Sequence, residues 1–348
     1  MITRLALQNY GPITAIEWDR LGPINLVIGA NGTGKTTILK ALYSAVRTVE
    51  EYLRGDDRTP VDELLAAKLK GVFQPDKLGD LVTKGTKEPL VCLLELTGQQ
   101  ADANGYLKYR FGAHTTRSLP DVEWGYALAS RDINSIFLPA KEVLSLHKII
   151  LKSRLLDKLN GFDDTCLDLA VALNTSPRPG DQGSVVASAR KKLGAIIGGK
   201  VAYDDESKLW YFQQGRFKYL IGLTAEGIKK IGILDVLLGN RYLTPGSTVC
   251  IDEPEAALHP KAISQLFDVI ADLALGKGGE GIQFFLASHS YFVINKLYLI
   301  AHQKNISIPV LYEEDGQWQR ADLRHGMPTN SIIEESVQLY REEVELLL

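Results

Sequence analysis

INLVIGANGTGKTT, Ile24 to Thr37, decides how this chain is read. Ile24 to Ile28 is a nearly continuous apolar run, which predicts a strand buried on both faces. Gly29 to Thr36 then fits the pattern GxxxxGK[ST], and Ile38, Leu39, Leu42 and Val46 predict one apolar side of a helix that opens at Gly34 or Lys35. Strand, glycine-rich loop and helix in that order give the pattern its meaning; a chance match in a glycine turn is the weaker reading. Glycines let successive backbone N–H groups turn toward phosphate oxygens, and the helix N-terminus adds partial positive charge. A nucleotide is therefore expected along Asn31, Gly32, Thr33, Gly34, Lys35, Thr36 and Thr37. Lys35 would neutralise its β and γ phosphates and Thr36 would hold Mg²⁺.

A second stretch, VCIDEPEAALHP from Val249 to Pro260, runs from apolar residues into two adjacent acids. A buried carboxylate shifts its pKa or finds a cation. The phosphate loop supplies the reason: Asp252 would reach Mg²⁺ through water, and Glu253 would orient or deprotonate the water that attacks the γ-phosphate. The competing reading is a solvated cluster at a helix start. Downstream, IQFFLA leads into Ser288, His289 and Ser290. A parallel sheet brings these residues to the edge where the other strands end, and His289 would there contact the γ-phosphate. A lone histidine is otherwise more often structural.

At 348 residues, 45% hydrophobic and 23% charged, the chain has an ordinary soluble composition for one large α/β domain or two smaller ones. A formal charge of -3 argues against coating by nucleic acid, although Arg190, Lys191 and Lys192 form a local basic run. Three cysteines without CxxC spacing suggest neither a disulfide framework nor a zinc site, and point to a reducing, cytoplasmic home. No apolar run approaches the roughly 20 residues that span a bilayer, so no membrane role is expected.

Ile2–Leu7 and Ile13–Trp18 predict an opening hairpin, and Val61–Lys70 a helix. The runs VCLLEL, YLKYRF and SIFL, between Leu90 and Leu138, read as a β-rich insertion. Val143 to about Gly199 is helical, a lid or arm interrupted by NTSPRPGDQGS. KLWYFQQGRFKYLIG reads as a hairpin turned at Gln214 and Gly215. A helix near Thr224, a strand Thr248–Ile251, a helix from Lys261, a strand Ile282–Ala287 and a helix after Ser290 complete a β/α alternation in which the two ends of the chain share one sheet. The expected linkers are Pro177–Gly183 and Gly276–Gly281. The expected units are 1–142, 143–200, 201–330 and a last helix at 331–348. That helix places Ile333, Val337, Tyr340 and Val344 near one face, for docking on its own chain or on a partner.

With NYGPI, GANGTGKTT, CIDEPEAALHP and LASHS in this order, the chain resembles an ABC-type ATPase of the RecF/SMC and OLD-like, AAA-labelled branch. The ending MPTNSIIEESVQLYREEVE resembles small stand-alone members. The resemblance implies an α/β fold: an ABC-type P-loop head with a mixed central sheet, a β-rich N-terminal subdomain and a compact helical insertion. It also implies a homodimer or higher homo-oligomer, in which ATP closes two heads and a signature segment of one copy covers the γ-phosphate of the other. That segment falls within GLTAEGIKKIGILDVLL and offers Thr224 and Gly227, although Ala225 stands where the family has serine. LPAKEVLS replaces the glutamine loop, with Lys141 and Glu142 as substitutes. His259 either senses the partner site or caps the next helix. The arm is too short for an SMC coiled coil. Glu313, Glu314, Asp315 and Asp322 read as solvated acids of a turn-rich segment rather than a nuclease centre. The function implied is an ATP- and Mg²⁺-dependent switch that controls a separately encoded effector, a nuclease or toxin, in anti-phage defence or a toxin–antitoxin module. Alternatives are a RecF-like ATPase of repair or recombination that binds nucleic acid, and a nucleotide-binding scaffold that hardly hydrolyses ATP.

Overall fold

A computed structural model describes residues 1–97, 105–125, 133–176 and 183–347. Of the expected linker Pro177–Gly183, residues 177–182 lie outside them. The chain opens with β1 (Ile2–Tyr10) and β2 (Ile13–Trp18), the antiparallel hairpin expected. Next come β3 (Ile24–Ile28), buried throughout, α1 (Lys35–Glu51) and α2 (Val61–Phe73). β4 (Leu90–Leu96), β5 (Gly105–Phe111) and β6 (Asp121–Trp124) follow, then β7 (Ile136–Leu138). The helical stretch holds α3 (His147–Leu151), α4 (Asp164–Leu173) and α5 (Ser184–Ile197). β8 (Lys200–Asp204), β9 (Leu209–Gln214) and β10 (Phe217–Leu220) lead to α6 (Glu226–Gly239). The last third comprises β11 (Thr248–Asp252), α7 (Pro260–Leu275), β12 (Gln283–Ser288), α8 (Tyr291–Gln303), β13 (Pro309–Glu314), β14 (Gln317–Asp322) and α9 (Ser331–Leu347).

The central sheet runs β14-β13-β3-β12-β11-β7, parallel except for the edge strand β14, so both ends of the chain do build it. Its strands alternate between two apolar cores, as a period of two requires. Leu26, Ile28, Val249, Ile251, Phe284 and Leu286 face one core, while Val27, Cys250, Phe285 and Ala287 face the other. The second core is closed by α1 and by the antiparallel sheet β2-β1-β4-β5-β6. The first is closed by α4 through Leu169 and Leu173, by α5 through Ala189 and Leu193, and by α6 and α7. The helical stretch is thus packed onto the body over these contacts.

The structure differs from the expectations in four places. SIFL was expected in the β-rich insertion, yet β7 pairs in parallel with β11 at the edge of the central sheet. Its three residues are all buried, whereas β4 alternates buried and half-buried positions, the mark of an antiparallel sheet with one covered face. The second hairpin turns at Gly215 and Arg216, because Gln214 itself pairs with Phe217. Glu313, Glu314 and Asp322 lie on the β13–β14 hairpin rather than in loose turns, and Asp322 accepts from Ser307 Oγ and from the N–H groups of Ile308 and Arg324. Gly276–Gly281 is a tight turn: a Cβ on Gly276 would lie 2.1 Å from the Glu280 carbonyl oxygen.

Charged groups tie the phosphate-loop helix to its neighbours. Arg47 pairs with Glu50 at 3.1 Å and Glu51 at 2.6 Å; Lys68 of α2 joins Glu51 at 3.3 Å and Asp168 of α4 at 3.4 Å. Cys92, Cys166 and Cys250 are buried free thiols. Among the described residues, no helix is long and apolar enough to cross a membrane.

Candidate functional site

Parallel strands end on one edge, and the register fixes which residues meet there. Asp252 lies opposite Ala287, Ser288 opposite Ile28, and Ile251 opposite Leu138. The edge therefore collects the loop after β3, the acids after β11 and the Ser-His-Ser segment after β12.

Gly32 and Gly34 of the loop have φ of 84° and 104°, a region that side chains rarely adopt. Gly34 has a second constraint, since a Cβ there would lie 2.9 Å from Pro12 Cγ and 3.2 Å from Ile13 Cγ1. The NYGPI turn thus buttresses the loop. Lys35 is buried, and its Nζ donates to the carbonyl oxygens of Gly29 and Ala30, both at 2.8 Å. Burial pulls the Lys35 pKa down, against the opposing influence of Asp252, Glu253 and Glu255. Thr33 Oγ1 donates to the Ala30 carbonyl at 3.0 Å. Asn31 and Thr36 are exposed at the mouth of the loop, with Thr37 half-buried behind them.

Thr36 Oγ1 donates to Asp252 Oδ2 at 2.8 Å, joining the loop to the first acid. Burial raises the Asp252 pKa and Glu253 adds to this, while Thr36, Lys35 and Lys230 oppose it. A divalent cation would favour the ionised form. One hydroxyl beside one carboxylate suits Mg²⁺, which keeps waters and uses one or two carboxylates together with phosphate oxygens. Among the described residues no group of three or more His, Cys, Asp or Glu side chains is placed to form a metal cage.

Glu253 has φ of 49°, left-handed for a residue with a Cβ, and its N–H donates to the Ala287 carbonyl at 2.9 Å. Its side chain is 3.4 Å from His289 Nδ1. Glu255 accepts from Ser288 Oγ at 2.7 Å, and Ser288 Oγ in turn accepts from the Ser290 N–H at 3.0 Å. From α6, Lys230 Nζ donates to the Glu253 carbonyl. Burial lowers the Lys230 pKa, opposed by Glu255, Glu253 and Asp252.

The structure brings Lys35, Thr36, Asp252, Glu253 and His289 to one edge. Gly227 sits elsewhere, against the turn that follows Glu253: a Cβ there would lie 2.6 Å from the Ala257 carbonyl oxygen. Thr224 Oγ1 donates to the Ile221 carbonyl at 2.7 Å. His259 Nδ1 accepts from the Lys261 N–H at 3.2 Å with Pro260 next to it, the geometry of a helix cap. Glu142 accepts from the Ser145 N–H at 2.9 Å and lies 4.0 Å from Lys229. Lys141 and Glu142 line a cavity of about 280 Å³ shared with Lys230, Ala256 and Ala257. Lys230 and Glu255 were missed in the sequence; the spacing of Glu255, two residues after Glu253, was the available signal.

The family model described as "AAA domain, putative AbiEii toxin, Type IV TA system" matches residues 217–295, from β10 through β12 into α8. The chain is similar to the OLD nuclease of Thermus scotoductus (strain ATCC 700910 / SA-01), 22% identical over 327 residues, covering 83% of this chain and 59% of that protein. It therefore spans 59% of the length of this curated relative. A solved SMC head bound to the C-winged helix domain of ScpA aligns with a TM-score of 0.55 at 13% identity, covering 92% of this chain and 97% of that one. An Smc head with an extended coiled coil, bound to the C-terminal domain of ScpA derived from Pyrococcus furiosus, gives 0.53 at 11%, covering 98% of each. At these identities the two structures speak for the fold.

Proposed function

We propose that this chain, an ATPase of the ABC-type, SMC-like and OLD-like kind, binds and hydrolyses ATP with Mg²⁺ and uses nucleotide state to control a separate effector. The observation that carries the reading is the 2.8 Å hydrogen bond from Thr36 to Asp252, which joins a phosphate-loop hydroxyl to a strand-end carboxylate beside Lys35. Magnesium held there would offset charge on the β and γ phosphates. Lys35 turns from the loop carbonyls to phosphate oxygens. Glu253 orients the attacking water and accepts its proton, and His289, 3.4 Å from Glu253, contacts the γ-phosphate.

Thr224 and Gly227 are proposed to act in trans, covering the nucleotide of a second copy in a head-to-head dimer or larger homo-oligomer. The seat of Gly227 on the turn after Glu253, and not on the phosphate loop of the same chain, supports this. The effector is a separately encoded nuclease or toxin of an anti-phage or toxin–antitoxin system; the type IV toxin–antitoxin system named in the family description matched over 217–295 supports that setting. The basic run gives little support to nucleic-acid binding, since Arg190 pairs with Asp235 at 2.8 Å and Lys192 with Asp272 at 2.7 Å.

Glu253→Gln is expected to bind ATP, lose turnover by about a hundredfold or more and accumulate as a dimer in sizing experiments. Lys35→Ala is expected to lose nucleotide binding. Unchanged turnover in Glu253→Gln would remove the water-handling role. Pull-down of Glu253→Gln with ATP and Mg²⁺ from its host should retain a stoichiometric protein after nuclease treatment. Nucleic acid without a protein partner would point to the repair reading instead.

A further inference from the structure

We propose that Lys230 is a positioning residue for Glu253, through which the start of α6 sets the geometry of hydrolysis. The inference rests on Glu253 being the residue that handles water.

Residues 227 and 230 lie on one face of α6, three positions apart. Gly227 allows the helix to close on the Ala257 carbonyl and Leu258, while Lys230 donates to the Glu253 carbonyl. One helix face thus grips both ends of the turn between Glu253 and Leu258. The backbone at both ends is in the left-handed region, with φ of 49° at Glu253 and 62° at Ala257. Such conformations persist where surrounding contacts over-determine them.

Glu255 braces the middle of the turn. Ser288 Oγ holds its Oε1 at 2.7 Å, while its Oε2 is buried without a hydrogen-bond partner among the described residues. Ser288 also receives the Ser290 N–H, so the same brace fixes the peptide segment carrying His289. Glu253 and His289, which meet at 3.4 Å, are therefore each held by a separate contact, Glu253 by Lys230 and the His289 segment by Ser288 with Glu255. A contact that moves the start of α6 reaches the peptide of the water-handling residue through Lys230. Lys230 itself touches no substrate atom in this scheme.

Wild type, Lys230→Met, Lys230→Arg and Glu253→Gln would be compared by steady-state ATP hydrolysis, binding of a fluorescent ATP analogue and thermal melting. Lys230→Met keeps the apolar stem and removes the donor. Its kcat is expected to fall about tenfold to a hundredfold, with analogue affinity within about threefold. Lys230→Arg should recover most of the rate. A Lys230→Met enzyme within about twofold of wild-type kcat would overturn the proposal, as would a loss of rate that tracks melting and affinity and is not recovered by arginine. If Lys230→Met does not fold, the arginine variant decides: near-normal turnover supports a donor role, and an inactive but folded enzyme overturns it. Glu253→Gln separates the two levels. Unchanged turnover there removes the underlying reading, whereas an inactive Glu253→Gln beside a fully active Lys230→Met removes this inference alone.

Discussion

Asp163 shows how much one carboxylate holds together. Its Oδ1 accepts from the Thr165 N–H at 3.0 Å and caps α4, while its Oδ2 meets Lys40 of α1 at 2.6 Å. Burial alone would raise its pKa, but the bonds from Lys40, Thr165 and Cys166 outweigh burial and hold it below the usual carboxylate range. A depressed folded-state pKa gives stability that is present above the ordinary carboxylate value and lost as pH falls through the folded one. Asp163→Ala should therefore cost about 1–2 kcal/mol in urea denaturation near neutral pH. The gap to wild type should shrink below about pH 4. Single residues were unevenly legible in the sequence. Lys35 and Asp252 announced themselves because phosphate chemistry demands those groups in that order. Lys230 did not, since a lysine near a helix start looks like any solvated lysine until the fold sets it at the Glu253 carbonyl.

Among the elements, α6 is held close to its neighbour at its start. Gly227→Ala puts a Cβ 2.6 Å from the Ala257 carbonyl and 2.8 Å from Leu258 Cδ2, so the helix or the turn must shift. A loss of about 1–3 kcal/mol is expected in chemical denaturation. Gly222→Ala, whose Cβ would have nothing within 4 Å, should change stability little. An equal loss at both positions would show that the close contact with the turn is not what matters. Elements were legible where one periodicity ruled: β3 and α1 came directly from the apolar pattern. SIFL was misplaced because three residues carry too little period to choose a sheet, although its unbroken apolarity matched a parallel strand. For α9 the pattern gave the helix and left its destination open. Ile332 and Ile333 pack against the core, whereas Val337 and Tyr340 remain exposed.

At the scale of the whole molecule, two cores share one sheet and neither is complete without strands from both ends of the chain. Composition and alternation implied a large α/β body; they did not give the strand order, which depends on contacts distant in sequence. A protein ending near residue 280 would lack β12 and β13, the neighbours of β3 on both sides. Such a truncation is expected to be degraded by a protease that leaves the full chain intact, and resistance of the fragment would show that the sheet closes without them.

That strand order also dictates a waiting time on the ribosome. The side chain of Asn25 in β3 bonds to the Phe284 carbonyl, 259 residues downstream. At about 5–20 residues per second, the apolar INLVI segment must stay unpaired for roughly 10–50 seconds of translation before its first sheet neighbour emerges. The strand that seats the phosphate loop is thus among the earliest made and the latest secured. A nascent-chain chaperone has its greatest value to this protein during that interval.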